Sequence, residues 1–259
     1  MTYPRRLLPL AVLGALLVAV PLVALASRVD WANFVPLVTS PSAVAAFGLS
    51  LRTAGVAAAL CLVLGVPLGL ALHRARFHGI SVVRAFVLAP LVLPPVVGGL
   101  ALVYAFGRRG LLGGTLEVLG IEVAFTTAAV VIAQTFVALP FMVLAVETAL
   151  ASRSGRHEAT AGTLGAGPWL VFRRVTLPAL IPALVTGTVL AFARALGEFG
   201  ATLTFAGSLE GVTRTAPLKI YLAREADPDA AVALGLVLVI VAVAVVALTF
   251  RRARQGVAA

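Results

Sequence analysis

Six long apolar runs divide this chain, and short polar stretches rich in arginine separate them. The runs cover about residues 7–26, 53–72, 82–106, 128–150, 180–205 and 230–250, with an apolar lead-in to the second from about residue 44. Each has the length that a helix needs to cross the hydrocarbon of a bilayer, roughly 20 residues. The pattern predicts an all-α, polytopic membrane protein with six transmembrane helices, one transmembrane domain spanning residues 1–259.

Small residues and prolines mark the runs individually. Gly65 and Gly69 lie four apart, as do Ala183, Gly187, Ala191 and Ala195, a spacing that lets helices approach closely. The third run contains PLVLPPVVGG at 90–99. There Pro94 and Pro95 remove backbone donors, so the helix is expected to kink or break. A bilayer tolerates such a break only where protein or a water-filled cavity satisfies the freed carbonyls. The segment therefore reads either as a pathway lining or as kinked packing. Pro140 interrupts the fourth run, and Glu147 sits close enough to its end to reach water. The first run has two readings: Ala24-Leu25-Ala26 has the spacing of a signal-peptide cleavage site, whereas its length favours an uncleaved helix. The connections 28–41, 108–126 and 207–229 read as loops, with Trp31 a candidate interface aromatic.

Composition agrees with a membrane class. Of the 259 residues, 61% are hydrophobic and 12% charged, and mean hydropathy is +1.09. The net charge of +10 does not point to nucleic acid, because the cations cluster at the ends of apolar runs, where they set orientation. On one side lie twelve: Arg5, Arg6, Arg74, Arg76, Arg84, Arg153, Arg156, Arg173, Arg174, Arg251, Arg252 and Arg254. The other side has seven: Arg28, Arg52, Arg108, Arg109, Arg214, Lys219 and Arg224. The excess assigns both termini and the 151–178 loop to the cytoplasm. The lone Cys61 lies in an apolar run and offers no disulfide framework.

The loop 151–178 is the longest polar interruption that breaks into several elements, and its core is GRHEATAGTLGAGPWLVFRRVTLP at 155–178. Glu158 opens a helix-forming run, Gly165 and Gly167 break it, and Trp169, Leu170, Phe172, Arg173 and Arg174 form an amphipathic turn. A plain connector between two helices needs only a few residues. The alternatives are a docking piece gripped from outside the membrane and a surface-lying linker. The pattern Glu158-Ala159, Gly165 seven positions later and Leu177-Pro178, its proline thirteen further on, resembles the cytoplasmic loop of ATP-binding-cassette importer permeases. Thr160 stands where the family motif has a second alanine. The resemblance implies an importer-type permease bundle in which this loop is the coupling helix, resting in a cleft of a separate ATPase subunit. The coupling residues are then Glu158, Ala159, Gly162, Leu164, Gly165, Leu177 and Pro178.

Chemistry elsewhere is sparse. Arg194 and Glu198 lie one helical turn apart inside the fifth run, and intramembrane charge faces a bundle interior or water. They read as a gate or helix tie beside the pathway, or as an internally satisfied pair. Thr202 and Thr204 add hydroxyls, for an oxyanion or for the helix backbone. His73, His78 and His157 lie in polar loops, no nucleophile–base set is visible, and no glycine-rich phosphate loop exists to hydrolyse ATP. No cofactor, metal site or catalytic residue is expected.

ARALGEFGATLTFAG at 193–207, with PLVLPPVVGG and TAPLKIYL at 215–222, resembles the molybdate permease branch of those importers. That resemblance covers nearly the whole chain. It implies a homodimer in the cytoplasmic membrane of a prokaryote, two ATPase subunits, and an extracytoplasmic oxyanion-binding protein. Pro94, Pro95, Arg194, Glu198 and Thr202 are the pathway or gate candidates. The competing readings are a permease for another oxyanion such as sulfate, and a secondary anion transporter without an ATPase.

Overall fold

A computed structural model describes residues 7–153 and 156–257, with side chains described to residue 247. Arg5, Arg6 and Gly155 lie outside the described residues, as do the side chains of Arg251, Arg252 and Arg254. Among the described residues the chain is helical throughout, without strands. Among the described residues five helices are long and apolar enough to cross a membrane, or six if one bent pair counts as a single span.

The centre is a three-helix core. Helix α3 (Pro41–Arg74), α7 (Thr127–Ala151) and α10 (Leu177–Leu196) pack on one another along their lengths. In a bilayer no hydrophobic effect drives helices together, so packing rests on close backbone approach at small residues. Gly65 and Gly69 serve that purpose. An added Cβ at Gly65 would stand 2.7 Å from Met142 Cγ, and one at Gly69 would stand 2.9 Å from Val146 Cβ. On α10, Gly187, Ala191 and Ala195 are buried, and a Cβ on Gly187 would lie 2.9 Å from Ala145 Cβ. Cys61 is a small buried residue whose thiol lies 3.8 Å from the Thr135 carbonyl.

Helix α3 is longer than the second apolar run, at 34 residues or about 51 Å. Its first turns project past the start of α7, and there the Ser50 hydroxyl accepts a bond from Ala216 N at 2.7 Å. That amide opens α12 (Ala216–Ala226), a helix inside the expected 207–229 loop. Short helices α2 (Phe34–Val38) and α6 (Gly113–Val118) likewise occupy the other two expected loops. Thr126 caps α7, accepting from Ala129 N at 3.3 Å. Asp227 accepts from Ala230 N at 3.0 Å at the start of α13 (Pro228–Val257). Helix α1 (Leu8–Ser27) lies at the periphery against α13, where Leu25 approaches Gly235.

The third crossing is not one helix. Helix α4 (Ile80–Leu88) continues as a tight turn over Ala89–Leu91, and α5 (Pro95–Phe106) leaves at 113° to it. The cause is chemical: Pro94 and Pro95 cannot donate to the carbonyls of Pro90 and Leu91. The two arms of the pair touch opposite ends of α7. Arg84 of α4 is bonded to Glu147 near the loop end of α7 at 2.8 Å. Further on, Gly98 meets Phe136, and Leu102 clusters with Ala129 and Val130 at the far end. From Glu147 to Ala129 along α7 is about 27 Å, a full hydrocarbon thickness.

The fifth crossing differs from the expected unbroken 180–205 helix. It begins in the loop, since Pro168–Leu196 runs nearly continuously, and it breaks at 197–199 before α11 (Gly200–Ala206). Gly197 ends α10 and Phe199 stands at φ −129°, ψ −60° ahead of α11.

Candidate functional site: the loop and the broken joint

Two places collect the residues singled out from the sequence. The first is the loop. Helix α8 (Arg156–Thr163) carries Glu158 in its first turn. It stops in a two-bond glycine cap: Ala166 N donates to Ala161 O and Gly165 N to Gly162 O, both at 3.0 Å. Gly165 stands at φ +83°, a left-handed conformation that side chains with a Cβ resist. Gly167 is extended and Pro168 opens the one-turn helix α9 (Pro168–Val171), where proline loses nothing by lacking a donor. A π-helical turn, Phe172–Thr176, joins it to α10.

Glu158 does not point the way the rest of the loop does. Its Oε1 accepts from the Thr176 hydroxyl at 3.4 Å and lies 3.7 Å from Arg153 Nη2, while Oε2 is buried without a partner among the described residues. The carboxylate thus bridges the end of α7 to the start of α10 and closes the base of the loop. Ala159, Gly162, Gly165 and Pro178 are exposed, Leu177 is half-buried, and Leu164 and Trp169 are 83% and 71% exposed. A leucine and a tryptophan in the open on a polar loop, with glycine backbone between them, form a surface suited to being covered.

The second place is the joint where both broken crossings meet. Gly200, the first residue of α11, sits on Pro95, the first of α5: an added Cβ would fall 2.7 Å from the Pro95 ring. One turn on, a Cβ at Gly99 would stand 2.6 Å from Thr204 Cβ. The two prolines and the GEFGAT stretch, separated by a hundred residues, therefore interlock.

At that joint Glu198 is buried at 1% exposure, and Arg194 is 29% exposed. Their contact is 2.7 Å, from Nη1 to Oε2, while Glu198 Oε1 accepts from Ala201 N at 2.8 Å. One carboxylate so binds the last turn of α10 to the first turn of α11. Thr204 donates back to Gly200 O at 2.9 Å, the backbone alternative of its two readings. Thr202 is fully buried and its hydroxyl has no partner among the described residues.

Two residues were missed by reasoning from sequence. Gln134 is fully buried in the middle of α7, with neither amide atom partnered among the described residues. The signal was its being the one amide side chain in the fourth apolar run. Arg84 clamps Glu147 and donates to Leu72 O at 3.2 Å, tying α4 to the loop ends of α3 and α7. Nothing in the sequence links positions 63 apart.

Comparison with known proteins places this geometry. Residues 63–257 match the model of the family described as binding-protein-dependent transport system inner membrane component. The chain belongs to that family, the membrane-embedded permease subunits of transport systems. Within it, the chain is 58% identical over 229 residues to the molybdenum transport system permease protein ModB of Mycobacterium tuberculosis (strain ATCC 25618 / H37Rv), covering 88% of this chain and 87% of that one. Identity to ModB of Escherichia coli (strain K12) is 43% over 174 residues, 67% of this chain and 76% of the relative. The sulfate transport system permease protein CysT of the same organism is 36% identical over 220 residues, 83% and 79%. Among solved structures, a bacterial alginate ABC transporter in complex with its pentasaccharide-bound periplasmic protein matches with TM-score 0.75 at 19% identity, over 96% of this chain and 93% of that one. The last comparison establishes the importer-permease fold. The chain is a multi-pass permease subunit of the inner membrane.

Proposed function

We propose that this chain forms the translocation pathway of an ATP-driven molybdate importer, accepting also tungstate, which has nearly the same size and charge. It works as a homodimer with two cytoplasmic ATPase subunits and an extracytoplasmic binding protein, and both its termini are cytoplasmic. The observation that carries the substrate is the 58% identity to a molybdenum permease over 88% of the chain, against 36% to a sulfate permease.

The mechanism follows from the two sites. A tetrahedral dianion cannot enter hydrocarbon, since an isolated charge there costs far too much. It needs an aqueous cavity open to one side at a time. The joint between the broken third and fifth crossings lies where such a cavity can line itself with irregular backbone. The coupling surface is Ala159, Gly162, Leu164, Gly165 and Trp169, with Leu177 and Pro178 leading rigidly into α10. Glu158 acts as the internal brace: a push on α8 reaches α7 through Arg153 and α10 through Thr176. When the ATPases close on ATP, the two loops approach each other, the bundles rock and the cavity opens outward. The binding protein then delivers its anion. Hydrolysis reverses the motion.

The test is complementation. A bacterium deleted for molybdate uptake, supplied with this chain, its ATPase and its binding protein, is expected to regain molybdate accumulation at trace external molybdate. Restored sulfate uptake without molybdate uptake would overturn the substrate.

A further inference from the structure

Among the described residues, Arg194 is the cation placed at mid-bundle depth. Its neighbours Ala191, Ala195 and Leu196 pack with Ala138, at the midpoint of α7. It is not sealed inside: it remains 29% exposed. Leu190, one turn back, is 40% exposed, and Gly197, at the break, is exposed too. These positions form a strip about a quarter of a turn round from the packed Gly187–Ala191–Ala195 face. An arginine open at this depth faces water or a second subunit, since facing lipid would be prohibitively costly.

Its electrostatics are unusual for an anion contact. One corner of the guanidinium, Nη1, is held by Glu198, and the remaining N–H groups meet no acceptor among the described residues. Glu198 in turn is fixed by Ala201 N and is almost wholly buried, so the arginine is both oriented and neutralised. A bare arginine in a low dielectric would seize a dianion. A pathway needs contacts favourable enough to admit an ion and weak enough to release it. A charge-paired guanidinium with free N–H groups meets both needs: it offers directed hydrogen bonds without net charge.

We propose that the Arg194–Glu198 pair is a low-affinity oxyanion contact inside the pathway, in which Arg194 donates to the passing anion and Glu198 keeps that contact weak. This rests on the reading of the chain as an oxyanion permease. Substrate choice then lies outside this contact, because any tetrahedral dianion satisfies the same free N–H groups.

The test uses the intact permease–ATPase complex in lipid nanodiscs, with molybdate as the probe. Glu198→Gln keeps the acceptor for Ala201 N and removes the neutralising charge. It is expected to retain molybdate with at least about tenfold higher affinity than wild type and, in proteoliposomes, to import it more slowly. Arg194→Lys keeps the ion pair and the tie between helices but loses the planar fork. It is expected to assemble normally and to import markedly less. Unchanged molybdate retention by Glu198→Gln, or normal import by Arg194→Lys, overturns the proposal, and the second variant carries the test if the first does not assemble. Failure of the substrate assignment looks different: wild type itself would import no molybdate. Sulfate, run through the same retention and import assays, would then be the probe.

Discussion

Replacing Gly162 by leucine separates a docking surface from a linker, because within this chain the change is harmless. Gly162 lies in α8, is exposed, and an added Cβ there would meet nothing within 4 Å. Its φ is not in the left-handed region. Glycine to leucine in a helix gains up to about 0.8 kcal/mol of propensity, less near a helix end. The permease alone is therefore expected to be as stable as wild type or slightly more so. If the face is covered by an ATPase, the leucine overfills that contact, at about 1–3 kcal/mol, which is roughly a five- to 150-fold loss of affinity. Gly165 supplies the control. It too has open space around it, but at φ +83° a leucine costs about 1–2 kcal/mol of backbone strain. Gly165→Asn, which tolerates that conformation better, separates strain from contact. The assay is the amount of ATPase retained on purified permease, alongside the melting temperature of each variant. Gly162→Leu is expected to melt normally and lose most of its ATPase. Normal ATPase retention and normal uptake by both Gly162→Leu and Gly165→Leu would refute the docking reading.

Three further outcomes are expected. Glu198→Gln should lower the permease's thermal stability by about 1–3 kcal/mol, below the usual figure for breaking a buried pair because Arg194 is partly exposed; adding Arg194→Gln should recover part of that loss, and simple additivity in a melting assay would show the two are not coupled. Gly69→Leu should destabilise the bundle by several kcal/mol or prevent assembly, because even its first carbon would stand 2.9 Å from Val146 Cβ; a normally melting, normally assembled variant would contradict the α3–α7 packing. A reporter fused after Arg254 should be cytoplasmic and one inserted near Ser208 extracytoplasmic, and finding both on one side would contradict six crossings.

The crossings and the loop were legible because both rest on local rules. Hydropathy counts residues against bilayer thickness, and the glycine cap at Gly165 announces itself through a conformation that glycine tolerates best. The break at Pro94-Pro95 was readable for the same reason, since missing donors are a property of the residue. The break at Gly197 was not. GEFG continues an apolar run, and the close seating of Gly200 on Pro95 where α11 begins joins positions a hundred residues apart. The direction of Glu158 was hidden likewise, because its partners Arg153 and Thr176 are brought to it by the closure of the loop. Sequence placed it among the ATPase-coupling residues; in the fold its carboxylate meets Thr176 and Arg153, with one oxygen left over. Spacing revealed the Arg194–Glu198 pair, but its tie to Ala201 N appeared only with the fold.

The central claim is that the chain moves molybdate only when an ATPase drives it. Proteoliposomes containing the permease, its ATPase and its binding protein measure this directly, with molybdate accumulation followed with and without hydrolysable ATP. Accumulation that requires ATP, the ATPase and the binding protein together is the expected result. Accumulation by the permease alone, driven by an ion gradient and indifferent to ATP, would contradict it.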